Sequence, residues 1–445
     1  MKGFSLLFLL FLIEIFNSCI NCQCIIYIRV DSVNSNITCG SSIEDPCPNV
    51  STAFKACDYV NSKNPQNNTS MTFYFGSGVF VIPNDISFIP LILYSNQSIS
   101  LNGVYGDTVF QFTDPTKHIL TIMDSVDALP SDQSYFTMSN ITIENQSISS
   151  TFIQVDTQIT KSNIQLISCN FNNQSLTNSL FIFNSIRSPS EFQLSNCQFQ
   201  NITIPSDTPI FSMNNIQFQF ENSQFIHNQG SDKNQSSFIE VSKSQGIFEQ
   251  CNFGYNLNYS TLVNVDVSST ITFSNTNFQW NYLSVGLLVS NSSTLNISNS
   301  EYQNNLGDFI QLQSTSTLQV NNLTIQDNIE FRLFTCNQSE IQVQGTNSIQ
   351  LNSEGTLNDC INLCTIKTLN QLTDDFECPQ KPIQQQETSN SESVDTSKST
   401  SKDKKIIIIT TTITLSIFLI IFVIGSYIYR KYHHDPIKDE YIEIN

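Results

Sequence analysis

Charge is scarce in this sequence of 445 residues, and positive charge is scarcest. Asp and Glu number 38 against 19 Lys and Arg, for a formal net charge of −19. Such a chain offers a phosphate backbone no counter-charge, which excludes nucleic acid as a partner. Between Phe136 and Gln350 fourteen acidic residues face five basic ones, so an acidic glycan is repelled too unless a cation bridges it. Histidine is nearly absent: of four, only His118 and His227 precede residue 406. Polarity is carried instead by Asn, Ser, Gln and Thr.

Long apolar runs occur only near the two ends. After Lys2, Phe4 to Phe16 is apolar except for Ser5 and Glu14, too short to span a bilayer, and small polar residues follow at once. This reads as a signal peptide, residues 1–22, cut between Asn17 and Cys24. Residues 406–429 are twenty-four without a charge, bounded by Lys404, Lys405, Arg430 and Lys431. At about 1.5 Å per residue such a helix covers a hydrocarbon core of about 30 Å. The expected protein is a single-pass type I glycoprotein of the plasma membrane, or of an endosomal or other secretory-pathway membrane. Fifteen Asn-x-Ser/Thr sequons precede the span: Asn36, Asn49, Asn67, Asn68, Asn96, Asn140, Asn145, Asn173, Asn201, Asn234, Asn258, Asn291, Asn296, Asn322 and Asn337. None lies in the tail, 430–445, which is too short to fold. Tyr441 and Ile444 there form a Tyr-x-x-hydrophobic pattern of the kind clathrin adaptors read. Residues 379–405, rich in Ser, Thr, Gln and charge without apolar period, read as a disordered stalk.

Between these ends a short pattern recurs: apolar, x, apolar, x, Asn, small or Cys, x, aromatic. It appears as IQLISCNF from Ile164, FQLSNCQF from Phe192, FQFENSQF from Phe218, ITFSNTNF from Ile271 and LNISNSEY from Leu295. Its last position falls at Ile143, Phe171, Phe199, Phe225, Phe253, Phe278, Tyr302 and Ile325, in steps of 28, 28, 26, 28, 25, 24 and 23 residues. A period of this size marks a solenoid, whose turns bury their apolar faces only against one another. Within each copy apolar residues alternate with the period of a strand. A second short apolar segment follows, as in SLFIF from Ser179 and VGLLV from Val285. The fold expected over 72–350 is therefore all-β, a parallel β-helix. A leucine-rich repeat shares the period, but Phe, Ile and Val stand where a fixed Leu frame would be needed.

These residues resemble the right-handed β-helix proteins of the pectin-lyase-like superfamily, and most closely surface proteins with a Phe-x-x-Asn repeat. The motif runs Phe225 to Asn228, Phe253 to Asn256 and Phe278 to Asn281, with Tyr302 to Asn305 and Ile325 to Asn328 as variants. It lapses at Phe171 and Phe199, followed by Gln174 and Ile202. Stacked Phe inside and Asn at a left-handed corner are the roles expected.

The cysteines fall into three groups in an oxidising compartment. Cys24, Cys39, Cys47 and Cys57 are expected to staple an N-terminal cap, 23–71, in which NVSTAFKACDYV from Asn49 reads as a short helix. Cys336, Cys360, Cys364 and Cys378 would staple a C-terminal cap, 351–378. Each group leaves three pairings open. Cys169, Cys197 and Cys251 occupy the small position of the repeat and read as inward packing residues.

The resemblance also implies enzymes, so their chemistry is the test. A polygalacturonase-type site needs carboxylates beside a His and an Arg-x-Lys, and a pectate-lyase-type site needs acidic calcium ligands with an Arg base. The segment before residue 406 has no Gly-His-Gly and no Arg-x-Lys, and its one Asp-Asp pair, Asp374 and Asp375, lies beyond the repeats. Arg187 and Arg332 are the only arginines in the repeats. Asp156 and Asp266 hold equivalent positions four turns apart. No catalytic, cofactor or metal residue is assigned. The expected role is recognition or adhesion through a glycan or cell-surface protein ligand; the alternatives are an endocytic or sorting receptor using Tyr441, and a polysaccharide-cleaving enzyme. With Asn145, Asn173 and Asn201 in one column, a partner is expected to use another face.

Overall fold

The computed structural model describes residues within 23–368, apart from 34–38, 51, 54, 58–69, 83–90, 105, 113–119, 149–150, 205–207, 231–236, 330–331, 351–355 and 362–363. The signal segment, stalk, apolar run 406–429 and tail with Tyr441 and Ile444 lie outside these residues, as do Asn36, Asn67, Asn68, Asn234, His118 and Cys378. Among the described residues no helix is long and apolar enough to cross a membrane.

Among the described residues three parallel sheets of thirteen, eleven and eleven strands are formed, and beyond the first two strands each sheet takes every third strand in chain order. This is a parallel β-solenoid. Side chains alternate across each strand: in Ile216–Glu221 the isoleucine and both phenylalanines are buried, and both glutamines are exposed. Pairing reaches into both cysteine-containing ends. Gln23–Ile28 pairs with Ser70–Phe75, and Thr356–Ile361 and Thr365–Thr368 continue two sheets at the far end.

Inside, the predicted column is in register from Ile143 through Phe171, Phe199, Phe225, Phe253, Phe278, Tyr302 and Ile325. From Phe171 to Phe278 successive rings stack at 4.7–5.3 Å and within 12° of parallel. Rings from the facing sheet meet them edge-on, as Phe211 meets Phe199 and Phe225. Each buried Phe contributes about 1.5–3 kcal/mol, and none could be buried by one turn alone.

Between Asn215 and Gln338 each turn has three corners built alike, one or two residues in left-handed backbone followed by a buried residue that is small or polar on most turns. At the first corner the pairs include Ser168 and Cys169, Asn196 and Cys197, Asn222 and Ser223, and Gln250 and Cys251. At the third, Lys243 precedes Ser244 and Gln338 precedes Ser339. The second corner holds the motif asparagines and corrects one expectation. Asn228, Asn256, Asn281, Asn305 and Asn328 are buried and do not take the left-handed backbone themselves; His227, Tyr255, Trp280, Asn304 and Asp327 do, with φ of 54–57°. The amide must point inward to meet the next turn, so the residue before it makes the reversal and throws its own side chain outward.

At the N-terminal end, Ala53 and Ala56 are buried as expected of a capping helix. Its cap is Asn49, whose Oδ1 accepts from the Thr52 backbone N–H at 2.8 Å. Disulfides join Cys24 to Cys57, Cys39 to Cys47 and Cys336 to Cys364, and Cys360 is also disulfide-bonded.

Candidate functional site

The asparagines of the second corner form a ladder. Asn256 Nδ2 donates to Asn281 Oδ1 at 2.9 Å and to the Phe225 carbonyl at 2.9 Å, while its Oδ1 accepts from the Asn228 backbone N–H. The same triad repeats at Asn281 and Asn305. These groups are consumed by the fold. Cys169, Cys197 and Cys251 are buried and unpaired, with Cys251 Sγ donating to the Phe220 carbonyl at 3.3 Å, where Thr276 Oγ1 one turn on donates to Phe248. Burial pushes the Cys251 thiol up to about 12, which leaves it protonated and a poor nucleophile.

Asp156 and Asp266 do share one column, through Asn184, Asn214 and Ser242. Asp266 accepts from Ser290 Oγ at 2.7 Å and Asn291 Nδ2 at 2.6 Å. Burial raises its carboxyl, and these bonds with the Val267 N–H outweigh that, leaving it below the usual range. Beside it Glu240, which sequence reasoning missed, is raised by burial and then by the Asp266 charge. Arg332 is held by Asp308 in an ion pair of 2.5 Å, and Arg187 stands exposed. Among the described residues no three His, Cys, Asp or Glu side chains cluster as metal ligands.

Two surface features remain. On the long sheet a cleft of about 400 Å³ is lined by Gln193, Gln217, Gln219, Gln245, Thr270 and Ile247, with Phe218 at its floor beside Gly246. Its only ionisable lining group is Glu191, and amide rows over an aromatic floor suit a neutral, hydroxyl-rich ligand.

The second feature is at the Asn corner. The outward residues of successive turns are His227, Tyr255 and Trp280, whose rings stack at 4.8 Å and 6.2 Å, within 15° of parallel. Tyr255 and Trp280 are 43% and 42% exposed. Past each buried asparagine a second outward column begins: Gln229, Leu257, Tyr282, Leu306 and Ile329, in register. Leu257, Tyr282 and Ile329 are exposed as well. The two columns make an apolar ridge along the rod. The signal in sequence was present, since Tyr255 and Trp280 stand two places after Phe253 and Phe278, an outward position that Asn fills at Asn173, Asn201 and Asn304.

That column also carries the sequons Asn173 and Asn201, both in left-handed backbone and exposed, with Asn201 Nδ2 donating to Asn173 Oδ1 at 3.0 Å. Asn96, Asn140, Asn291 and Asn322 are left-handed loop or corner residues too, and Asn258 is left-handed at a register irregularity inside the strand Leu257–Asp266. Asn296 and Asn337 are half-buried, each with its Oδ1 shielded from solvent.

Neither a protein-family model nor a curated protein sequence matches the chain. Solved structures similar to it include a pectate lyase, a surface adhesin and a virus protein. Pectate lyase Pel9A shares 13% identity at a TM-score of 0.34, over 76% of this chain and 79% of that one. The Streptococcus pneumoniae surface adhesin PfbA shares 10% at 0.28, over 71% and 89%. Geobacillus virus E2 ORF18 shares 12% at 0.36 over 72% of this chain, which spans 62% of the ORF18 length. The solenoid is consistent with a pectin-lyase-like fold. These neighbours include an enzyme and an adhesin, and at such scores they carry nothing about ligand or activity.

Proposed function

We propose that the chain is a non-catalytic recognition rod, a single-pass type I membrane glycoprotein whose solenoid engages a partner at the cell surface for adhesion. The observation that carries this is the column His227, Tyr255 and Trp280. Each sits in left-handed backbone, at φ of 56–57°, a conformation that costs a residue other than Gly or Asn on the order of 1–2 kcal/mol. Asn fills this position on neighbouring turns, so the fold has a better solution, and exposed Trp and Tyr are the side chains that dominate protein contacts. The face crossed by the Asn173 and Asn201 sequons is thus the one that binds, on later turns.

A second reading rests on the amide-lined cleft, which suits a neutral glycan. Both are tested by presenting the full chain in nanodiscs to a glycan array, with and without calcium, beside a cleavage assay on the same polysaccharides. Glycan binding blocked by Gln219→Ala supports the cleft, and release of cleaved product overturns the non-catalytic reading. Absence of glycan binding, with Trp280-dependent attachment to cells, is the outcome expected for the ridge.

A further inference from the structure

Around Trp280 the ridge is complementary to its own reverse. Two turns before it stands His227 and two turns after it Asp327, both exposed; one turn before is Tyr255 and one after is Asn304. In the second column Tyr282 is central, flanked by Leu257 and Leu306, then by Gln229 and Ile329. A two-fold axis across the rod at the level of Trp280 lays each column on its own reversed copy. Trp280 then meets Trp280, Tyr282 meets Tyr282, Leu257 meets Leu306, and His227 meets Asp327 twice. Side-by-side pairing in parallel would instead keep every residue at its own level and leave His227 and Asp327 four turns apart. Apart from Asp327 neither column holds an acidic residue, so this strip escapes the repulsion that the charge of −19 imposes elsewhere.

We infer that the ridge is a homophilic contact, in which two copies of this chain pair antiparallel through His227, Tyr255, Leu257, Trp280, Tyr282 and Asp327. The inference rests on the reading of the chain as a membrane-anchored recognition rod. Antiparallel pairing points the two C-terminal ends in opposite directions, so the stalks lead to two different membranes. The five turns span about 19 Å at about 4.8 Å per turn, a strip of the weak, transient class. Many such contacts between two surfaces add through effective concentration. Isologous contacts of this kind need only one surface patch. Asn258 adjoins Leu257, and pairing requires it to be without glycan.

The full chain is reconstituted into two batches of liposomes carrying donor and acceptor dyes, and clustering is read by energy transfer. Wild-type vesicles cluster, and Trp280→Asn, which places the commonest corner residue in that backbone, lowers clustering at least about tenfold without lowering Tm. Ser260→Ala, which abolishes the Asn258 sequon, clusters at least as well as wild type. His227→Glu vesicles fail to cluster with themselves, as do Asp327→Lys vesicles, and the mixture of the two clusters. Wild-type vesicles that carry the chain and stay apart, a Trp280→Asn chain that clusters as wild type, or a mixture that fails overturns the pairing. A chain that does not remain with the bilayer refutes the anchor reading alone; sedimentation of that same chain then decides, a Trp280-dependent dimer supporting the pairing and a monomer overturning it.

Discussion

Gly246 shows how a single residue departs from the repeat for a reason visible only in three dimensions. Its position carries Ile164, Phe192, Phe218, Ile271, Leu295 and Leu318 on other turns, so an apolar side chain is what the pattern asks for. A Cβ there would fall 1.9 Å from Phe218 Cζ. The Phe218 ring fills the space of two turns and floors the cleft. Gly246→Ala is therefore expected to destabilise by about 1–3 kcal/mol through overpacking, seen as a lower Tm, and Phe218→Leu should relieve most of that loss. A Gly246→Ala chain as stable as wild type would refute the packing account. The sequence alone does not show why glycine stands at 246, because the cause is a neighbour 28 residues away.

Glu240 and Asp266 make the second residue-scale case. Burial and then the Asp266 charge raise Glu240, so the folded state binds the extra proton. Its contribution is present below its ordinary carboxyl range and is lost as pH rises through its folded value. Asp266 lies on the other side, with stability present above its ordinary range and lost on acidification. Glu240→Gln should thus raise Tm near neutral pH and leave it unchanged below about pH 4, and a pair of Tm-against-pH curves decides. Superimposable curves would mean that Glu240 is not buried against Asp266.

At the scale of the element, the corners explain why so loose a sequence repeat gives so regular a stack. Removing the Asn281 amide orphans the Asn256 backbone N–H and takes one partner each from Asn256 Nδ2, which keeps the Phe225 carbonyl, and from the Phe253 carbonyl. At about 1–3 kcal/mol for an orphaned buried donor, with two further bonds lost beside it, Asn281→Ala should cost about 2 kcal/mol or more, measured by denaturant unfolding. Cys251→Ser should stay within about 1 kcal/mol, because Ser223 and Ser300 already hold that corner position with their hydroxyls bonded to Glu221 and Ser298 carbonyls. A Cys251→Ser loss as large as that of Asn281→Ala would show that the thiol packs in a way a hydroxyl cannot. The strands were legible because alternation and period are local. Which corner residue is left-handed was not, since Asn serves both roles and only its amide bonds to the next turn separate them. The ridge was hidden by the same confusion, with its aromatics standing where the reading expected polar corners.

For the whole molecule, neighbour-only contacts make the ends the weak points. The first and last turns each lack one stacking partner, and opening spreads inward from whichever end frays first. Both ends are therefore cross-linked, by Cys24 to Cys57 and Cys39 to Cys47 before the coil and by Cys336 to Cys364 after it. The last pair spans 28 residues, and closing a loop of that length in the unfolded chain is worth about 3–4 kcal/mol. It joins the strand Arg332–Asn337 to the segment leading into Thr365–Thr368, the final strand of the long sheet. Cys336→Ser with Cys364→Ser should therefore speed hydrogen exchange in the C-terminal turns and leave the stack around Phe199 and Phe225 protected. The ridge reaches Asp327 and Ile329, less than one turn before Cys336 of that disulfide. Fraying there would remove the Asp327 end of the pairing strip before the Trp280 centre, so homotypic clustering should weaken while Tm of the main transition holds. Uniform loss of protection along the whole rod would instead mean that the solenoid unfolds as one cooperative unit and the disulfide stabilises all of it.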